Sequence, residues 1–232
     1  MALHDGHRQR LKDRFRSEGL DNFEERHVLE LLLGYAIPRK DTAPLAEELL
    51  DHFGSFTQVM EATAEELQKV KGVGNHTATL VTLTTAVGRY YAVKRATSVD
   101  ILDSTTKCGR YLMHRFFGRR NETVFLLCLD AKCKVLCCRE VGEGSVNSAN
   151  IPVRRVVEMA LAANATTAII AHNHPSGVAL PSAEDVATTR RLARALDAVE
   201  ITLADHIIVA DEDFVSLVQS GLYHPEACTV TV

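Results

Sequence analysis

The chain lacks any run that could cross a bilayer: VFLLCL at 124–129 is typical of its longest apolar stretches, against the ~20 residues a spanning helix needs. It also lacks a recognisable leader. MALHDGHRQRLKDRFR is charged and has no apolar core, so secretion is not expected. Positive charge is not in excess either. Lysine and arginine number 26 against 30 aspartates and glutamates, a net charge of −4, so any surface for nucleic acid must be local. Several signatures are missing. There is no His-Glu-x-x-His, and no Pro-Cys-x-x-Cys of the kind zinc deaminases pair with His-x-Glu. Gly142 and Gly144 lack the third glycine of a dinucleotide fingerprint. Six cysteines, thinly spread through 232 residues without a leader, fit a reducing, cytoplasmic setting better than a disulfide framework.

What is present divides the chain in two. With 46% hydrophobic and 24% charged residues it reads as a soluble globular protein of one or two domains. Residues 1–98 read as all helix. ERHVLELLLG is amphipathic, and DTAPLAEELLDHFG has Pro44 in its first turn and Gly54 at its stop. TAEELQKV opens on Thr63 and Glu66, the spacing of a capping box. KGVG follows, then a longer helix with Leu80, Leu83, Val87 and Tyr90 at helical spacing. The polar stretch 97–107 reads as a linker.

Residues 102–232 alternate strands with helices, an α/β (α+β) pattern. CGRYLMHRFFG is a helix stopped by Gly118. ETVFLLCLD is a buried strand and CKVLCCREV its hairpin partner across Asp130-Ala131. GEGSVNSAN is a loop, PVRRVVEMALAANA a helix and TTAIIA a strand. SAEDVATTRRLARALDA is a helix, EITLADHIIVA a strand and DFVSLVQSG a last short helix stopped by Gly221. Cys133, Cys137 and Cys138 fall in one predicted strand. Cys133 and Cys137 share a face but sit about 13 Å apart at ~3.3 Å per residue, so packing explains them better than a shared metal does.

ELQKVKGVGNHTATLV resembles a helix-hairpin-helix motif. Gly72 and Gly74 can let a phosphate approach bare backbone, and the amides that open the next helix, from Asn75, then point at it. Lys69 and Lys71 add charge. Such contacts position a duplex without reading its sequence, so Lys71, Gly72, Gly74 and Asn75 are candidates for sequence-independent DNA binding. The run Arg8, Arg10, Lys12, Arg14, Arg16 reads first as a solvated helix face and second as an aid to that binding.

The stretch HNHPSGVALPSAED at 172–185 carries the chemistry. His172 and His174 follow an apolar strand, and alternation puts both imidazoles on one side, where they can chelate a divalent ion. Three protein ligands plus water is the open pattern of catalytic zinc, and Asp185 is the natural third. Ser182 should be the helix N-cap with Asp185 at N3, a turn that brings the carboxylate back toward the histidines.

That stretch resembles the JAMM (MPN+) signature, His-x-His-Pro, a six-residue gap, Ser, two residues, Asp, here His172, His174, Pro175, Ser182 and Asp185. Its wording, with LLDHFGSFTQVMEATAEELQKVKGVG upstream and DHIIV at 205–209, resembles the RadC family, historically called DNA repair proteins. The resemblance implies a JAMM/MPN-like, cytidine-deaminase-like α/β domain behind a helix-hairpin-helix domain. It implies one zinc ion per chain, on His172, His174 and Asp185, that lowers the pKa of its water. It also implies a glutamate at the start of an early strand, a place Glu122 occupies, with Glu140 and Glu143 as rivals near the later loop. Glu122 would take the proton from that water and hand it to the leaving amine, while Ser182 donates to the oxyanion. The substrate would be a peptide or isopeptide bond; its identity and the oligomeric state are not legible. Asp205 and His206 are further candidates to support the site. HNH endonucleases share the three letters alone, since their residues are dispersed through a ββ-metal-α unit. The rival readings are a non-enzymatic DNA-binding module with a structural or vestigial metal, and a metal-dependent nuclease.

Overall fold

A computed structural model describes residues 3–38, 40–96, 101–143, 151–210 and 213–225. The chain divides into two compact units, Met1–Gly88 and Arg89–Val232.

The first unit is helical: α1 (Leu3–Glu18), α2 (Glu25–Ala36), α3 (Ala43–Phe53), α4 (Phe56–Glu61), α5 (Ala64–Leu67) and the start of α6 (Asn75–Ala96). Its core is Leu29 and Leu33 of α2, Leu49 of α3, Val59, Leu67, and Ala78 and Val81 of α6. Pro44 lies in the first turn of α3, and Gly54 closes that helix at φ +90°. α5 is shorter than its sequence suggests; Lys69 and Val70 already belong to the turn into α6. Gly72 has φ +100°, a backbone that L side chains rarely adopt. The basic run of α1 is largely engaged. Arg8 donates to the carbonyls of Ile37, Pro38 and Lys40, and Arg14 to Glu18 and Asn22 O. Arg16 pairs with Asp13.

The second unit is a mixed sheet between helical layers. In chain order it holds α7 (Thr105–Phe116), β1 (Thr123–Leu129), β2 (Val135–Glu143), α8 (Val153–Ala162), β3 (Thr167–Asn173), α9 (Ala183–Asp197), β4 (Thr202–Ala210) and β5 (Asp213–Ser216). The strand order is β2-β1-β3-β4-β5, with β3 and β4 parallel and the other pairs antiparallel. Alternation splits the sheet residues between two cores. Val124, Leu126, Cys128, Ala168 and Ile170 pack with Val156 of α8 and Leu192 of α9. Phe125, Leu127, Leu129, Ile169 and Ala171 pack on the other face with Cys108 and Leu112 of α7.

Three expectations are corrected. Residues 213–221 are not a helix: β5 pairs with Ile207–Ala210, and a single turn runs from Ser216 to Gly221. Phe214, Val215, Leu217 and Val218 fit either period, and pairing along the edge of β4 decides. Phe214 also lies so close to α7 that a Cβ on Gly109 would stand 2.3 Å from its ring. The β1–β2 connection is longer than two residues. Asp130 accepts from the amides of Lys132 and Lys134, and Cys133 sits in this turn at φ +60°, not in the strand. The loop read over 142–150 begins later, because β2 runs through Glu143; residues 144–150 lie outside the described ones, as do 97–100 of the linker. Cys137 and Cys138 do face opposite cores.

Candidate metal centre

Two elements meet at the site. β3 is buried along its whole length and ends at Asn173, where the chain turns out of the sheet. His172 is its penultimate residue, fully buried on the α8/α9 side. His174 follows the strand, its amide bonded to Val209 O of β4 at 2.8 Å. α9 starts beside them. Ser182 is its N-cap, and a complete capping box forms: Asp185 N donates to Ser182 Oγ at 3.1 Å, and Ser182 N donates to Asp185 Oδ2 at 2.7 Å. The Ser182 hydroxyl adds a bond to the same Oδ2 at 2.6 Å. Oδ1 faces His172 Nε2 at 3.3 Å, with the carboxylate 1% exposed.

The hydrogen bonds assign the protons. A backbone carbonyl only accepts, so Thr189 Oγ1 donates to Asp185 O at 2.6 Å. Thr189 Oγ1 therefore accepts from His206 Nδ1, also at 2.6 Å. His206 Nε2 is then an acceptor and takes the proton of His172 Nδ1 at 2.8 Å. That leaves His172 Nε2 bare. His174 donates from Nδ1 to Val178 O at 2.9 Å, which leaves Nε2 as the ring nitrogen turned toward the site, bare in the neutral form. The two bare nitrogens stand 3.0 Å apart. Two bare nitrogens at that distance repel unless a proton or a metal ion lies between them, and the Asp185 carboxylate stands beside the pair. Ligand atoms of His172, His174 and Asp185 all lie within 4.8 Å of one another. The residues present thus fit a divalent ion held by two imidazoles and a carboxylate, with outer partners that fix each ring.

The electrostatics agree with neutral rings at His172 and His206. Burial pushes the His172 pKa down to about 4, against the pull of Asp185. Complete burial holds His206 well below its ordinary value, and His172 adds to this. The His172–Asp185 approach is therefore no ion pair at neutral pH.

Glu122 immediately precedes β1. β1 pairs antiparallel with β3, with Val124 opposite His172 at the end of the register, and Glu122, two residues before Val124, lies near enough to His174 and Asp185 to feel both charges. It is half-buried. That burial raises its carboxyl above the ordinary value; His174 opposes the shift and Asp185 adds to it. Glu140 and Glu143 are engaged elsewhere: both bind Arg119, at 2.8 and 3.2 Å. Of the two proposed supporting residues, His206 reaches the site and Asp205 does not. Asp205 accepts from His206 N, Ser216 Oγ and Val218 N, and so ties β4 to β5 and the following turn. Thr189 and Asn173 are polar partners that the sequence reading missed. Thr189 had a signal, four residues after Asp185 and so on the same helix face.

The family of the RadC-like JAB domain matches residues 102–222, and the UPF0758 N-terminal family matches residues 6–79. The chain belongs to the RadC-like UPF0758 family. It is 30% identical to a UPF0758 protein of Fusobacterium nucleatum, over 94% of this chain and 97% of that one. It is 36% identical to one of Ruegeria pomeroyi, over 88% and 91%. A third, from Acidithiobacillus ferrooxidans, is 32% identical over 92% and 95%. The mixed sheet with its helices is consistent with the JAB domain, and the His172, His174, Asp185 set lies within the segment that matches it. Among the described residues of this UPF0758 chain, no helix is long and apolar enough to cross a membrane.

Proposed function

We propose that the second unit is a zinc-dependent hydrolase of JAMM type, acting on a peptide or isopeptide bond. The observation that carries this reading is the convergence of two bare imidazole nitrogens and a buried carboxylate beside an acid whose pKa is raised. A zinc ion at such a site lowers the pKa of water and polarises a carbonyl. His172, His174 and Asp185 would hold it. Glu122 would accept a proton from the attacking water at its carboxylate and return it to the leaving amine. A raised pKa suits both halves of that exchange, because it brings the acid nearer the working pH. Ser182 would donate to the oxyanion, which requires its proton to leave Asp185 Oδ2, where it rests here.

The test is a library of peptides and isopeptide-linked peptides offered to zinc-loaded wild type and to Glu122→Gln. Elemental analysis should find about one zinc per chain in both. Wild type should cleave a member, and Glu122→Gln should be slower by about 10²–10⁴. Equal rates would remove Glu122 from the mechanism. Zinc-loaded wild type that cleaves DNA and no peptide would favour a nuclease, and one that cleaves neither a non-enzymatic module.

We also propose sequence-independent DNA binding at the turn before α6. Supporting it are the exposed Lys71, the open space around Gly74 and the start of α6 at Asn75. With Arg8 and Arg14 occupied, the turn carries this reading without the basic run. Binding should weaken as salt rises, and Gly72→Asp should abolish it.

A further inference from the structure

His172 and His174 point to one face of the sheet. Asn173, between them, points to the other, and it is 5% exposed. Its carboxamide does not touch the ligand set. Asn173 Oδ1 accepts from Thr123 N at 2.7 Å, and Nδ2 donates to Asn121 O at 3.2 Å and to Arg119 O at 3.4 Å. The partners fix which end is oxygen, since an amide must donate and a carbonyl must accept. Those three groups belong to residues 119, 121 and 123, which bracket Glu122. Outside, the same segment is held by Arg119 on Glu140 and Glu143, and by Asn121 Nδ2 on Glu143 at 3.4 Å.

We infer that Asn173 is a positioning residue that clamps the Glu122 segment to the ligand strand and thereby fixes the acid relative to the metal set. The inference rests on the hydrolase reading for what Glu122 does, but not for the clamp itself. One planar carboxamide supplies an acceptor and two donors, which serine, leucine or aspartate cannot do together. Residues 172–174 then set both halves of the chemistry. The odd residue aligns the acid that precedes the neighbouring strand, and the even ones would take the ion. A general base one ångström out of place loses much of its effect, so a rigid link of this length matters.

The full chain tests this by amide hydrogen exchange and by Co2+ in place of Zn2+, with no substrate needed. In Asn173→Ala the Thr123 amide should exchange about tenfold faster or more, having lost its acceptor, while Leu127 stays unchanged. Co2+ stoichiometry should hold, because the ligands face away. In wild type the Co2+ visible bands should differ from those of Glu122→Gln, because the acid would stand beside the bound ion. Asn173→Ala should shift them as well. Asn173→Asp keeps the acceptor for Thr123 but cannot donate to two carbonyls, so Thr123 should stay protected while residues 120–122 loosen. That variant also serves if the alanine form does not fold. Unchanged Thr123 exchange in Asn173→Ala overturns the clamp. Accelerated exchange with a wild-type Co2+ spectrum overturns its link to Glu122. A wild-type spectrum indifferent to Glu122→Gln overturns the role of Glu122 instead, and exchange alone then decides the clamp.

Discussion

The molecule uses one local motif twice. At Thr63 a hydroxyl accepts from Glu66 N at 3.2 Å, and Glu66 Oε2 accepts from Thr63 N at 2.9 Å. At Ser182 the same reciprocal pair forms with Asp185, at 3.1 and 2.7 Å. Both boxes satisfy orphan amides at a helix start. Thr63 starts a helix of four residues before a turn, and Glu66 is half-buried there. The second box differs in its setting. Asp185 is almost wholly buried against β3, and the oxygen opposite the capping bonds looks at His172. The cap fixes one carboxylate oxygen so that the other is aimed. The same local bonds cap a short helix in one place and aim a carboxylate at a buried histidine in the other, and what distinguishes them is the neighbouring strand.

The largest effect expected to separate the boxes comes from their acids. Asp185→Asn should cost more than about 100-fold in zinc affinity by titration, beyond the 10–100-fold typical of a residue behind the ligands. Glu66→Gln should leave that affinity unchanged. A similar loss in both would mean that Asp185 acts through folding alone.

Acid should act next, through the histidine that the second box faces. His172 takes a proton near its ordinary 6.5 in the unfolded chain but only near 4 in the fold. Between those values the unfolded state binds more protons at this residue, so its contribution to stability falls as pH falls through this window and levels off below it. At about 1.4 kcal/mol per pKa unit, His172 alone should account for a loss of about 3 kcal/mol in the metal-free protein, and His206, also held low by burial, adds loss of the same sign. Urea unfolding followed by circular dichroism at stepped pH would measure it, and a flat profile would refute neutral His172.

The hydroxyls should give a smaller contrast. Ser182→Ala should cost about 0.5–2 kcal/mol as a lost cap and about 10–100-fold in zinc affinity, because Asp185 Oδ2 loses a bond that orients it. Thr63→Ala should show the smallest effect of all, about 1 kcal/mol of stability with no change in zinc affinity. Thermal unfolding and zinc titration on both variants complete the comparison.

These contrasts also explain what was legible beforehand. Caps, Pro44, Gly54, and the His-x-His and Ser-x-x-Asp spacings are local, so they can be read from neighbours along the chain. β5 could not be read, because Phe214, Val215, Leu217 and Val218 suit a helix as well as a strand until the edge of β4 is known. His206 and Asp205 look equivalent in sequence, yet strand alternation sends one to His172 and the other to Ser216. Asn173 and Thr189 acquire their roles only from the register of β1 with β3 and from the packing of α9 on β4. A pairing across fifty residues, such as Thr123 with Asn173, leaves no mark in either stretch alone.

The bonded line from Asp185 O through Thr189 and His206 to His172 has a thermodynamic consequence. Each proton on it is assigned before an ion arrives, and His172 Nε2 has none to give up. A thiolate site must release protons as it loads, and its affinity slopes with pH accordingly. Loading at His172 should instead be proton-neutral from mildly alkaline solution down toward pH 4. Because the ring is already oriented in the fold, little ordering remains for the ion to impose, and its binding energy passes almost undiminished into the stability of the loaded state.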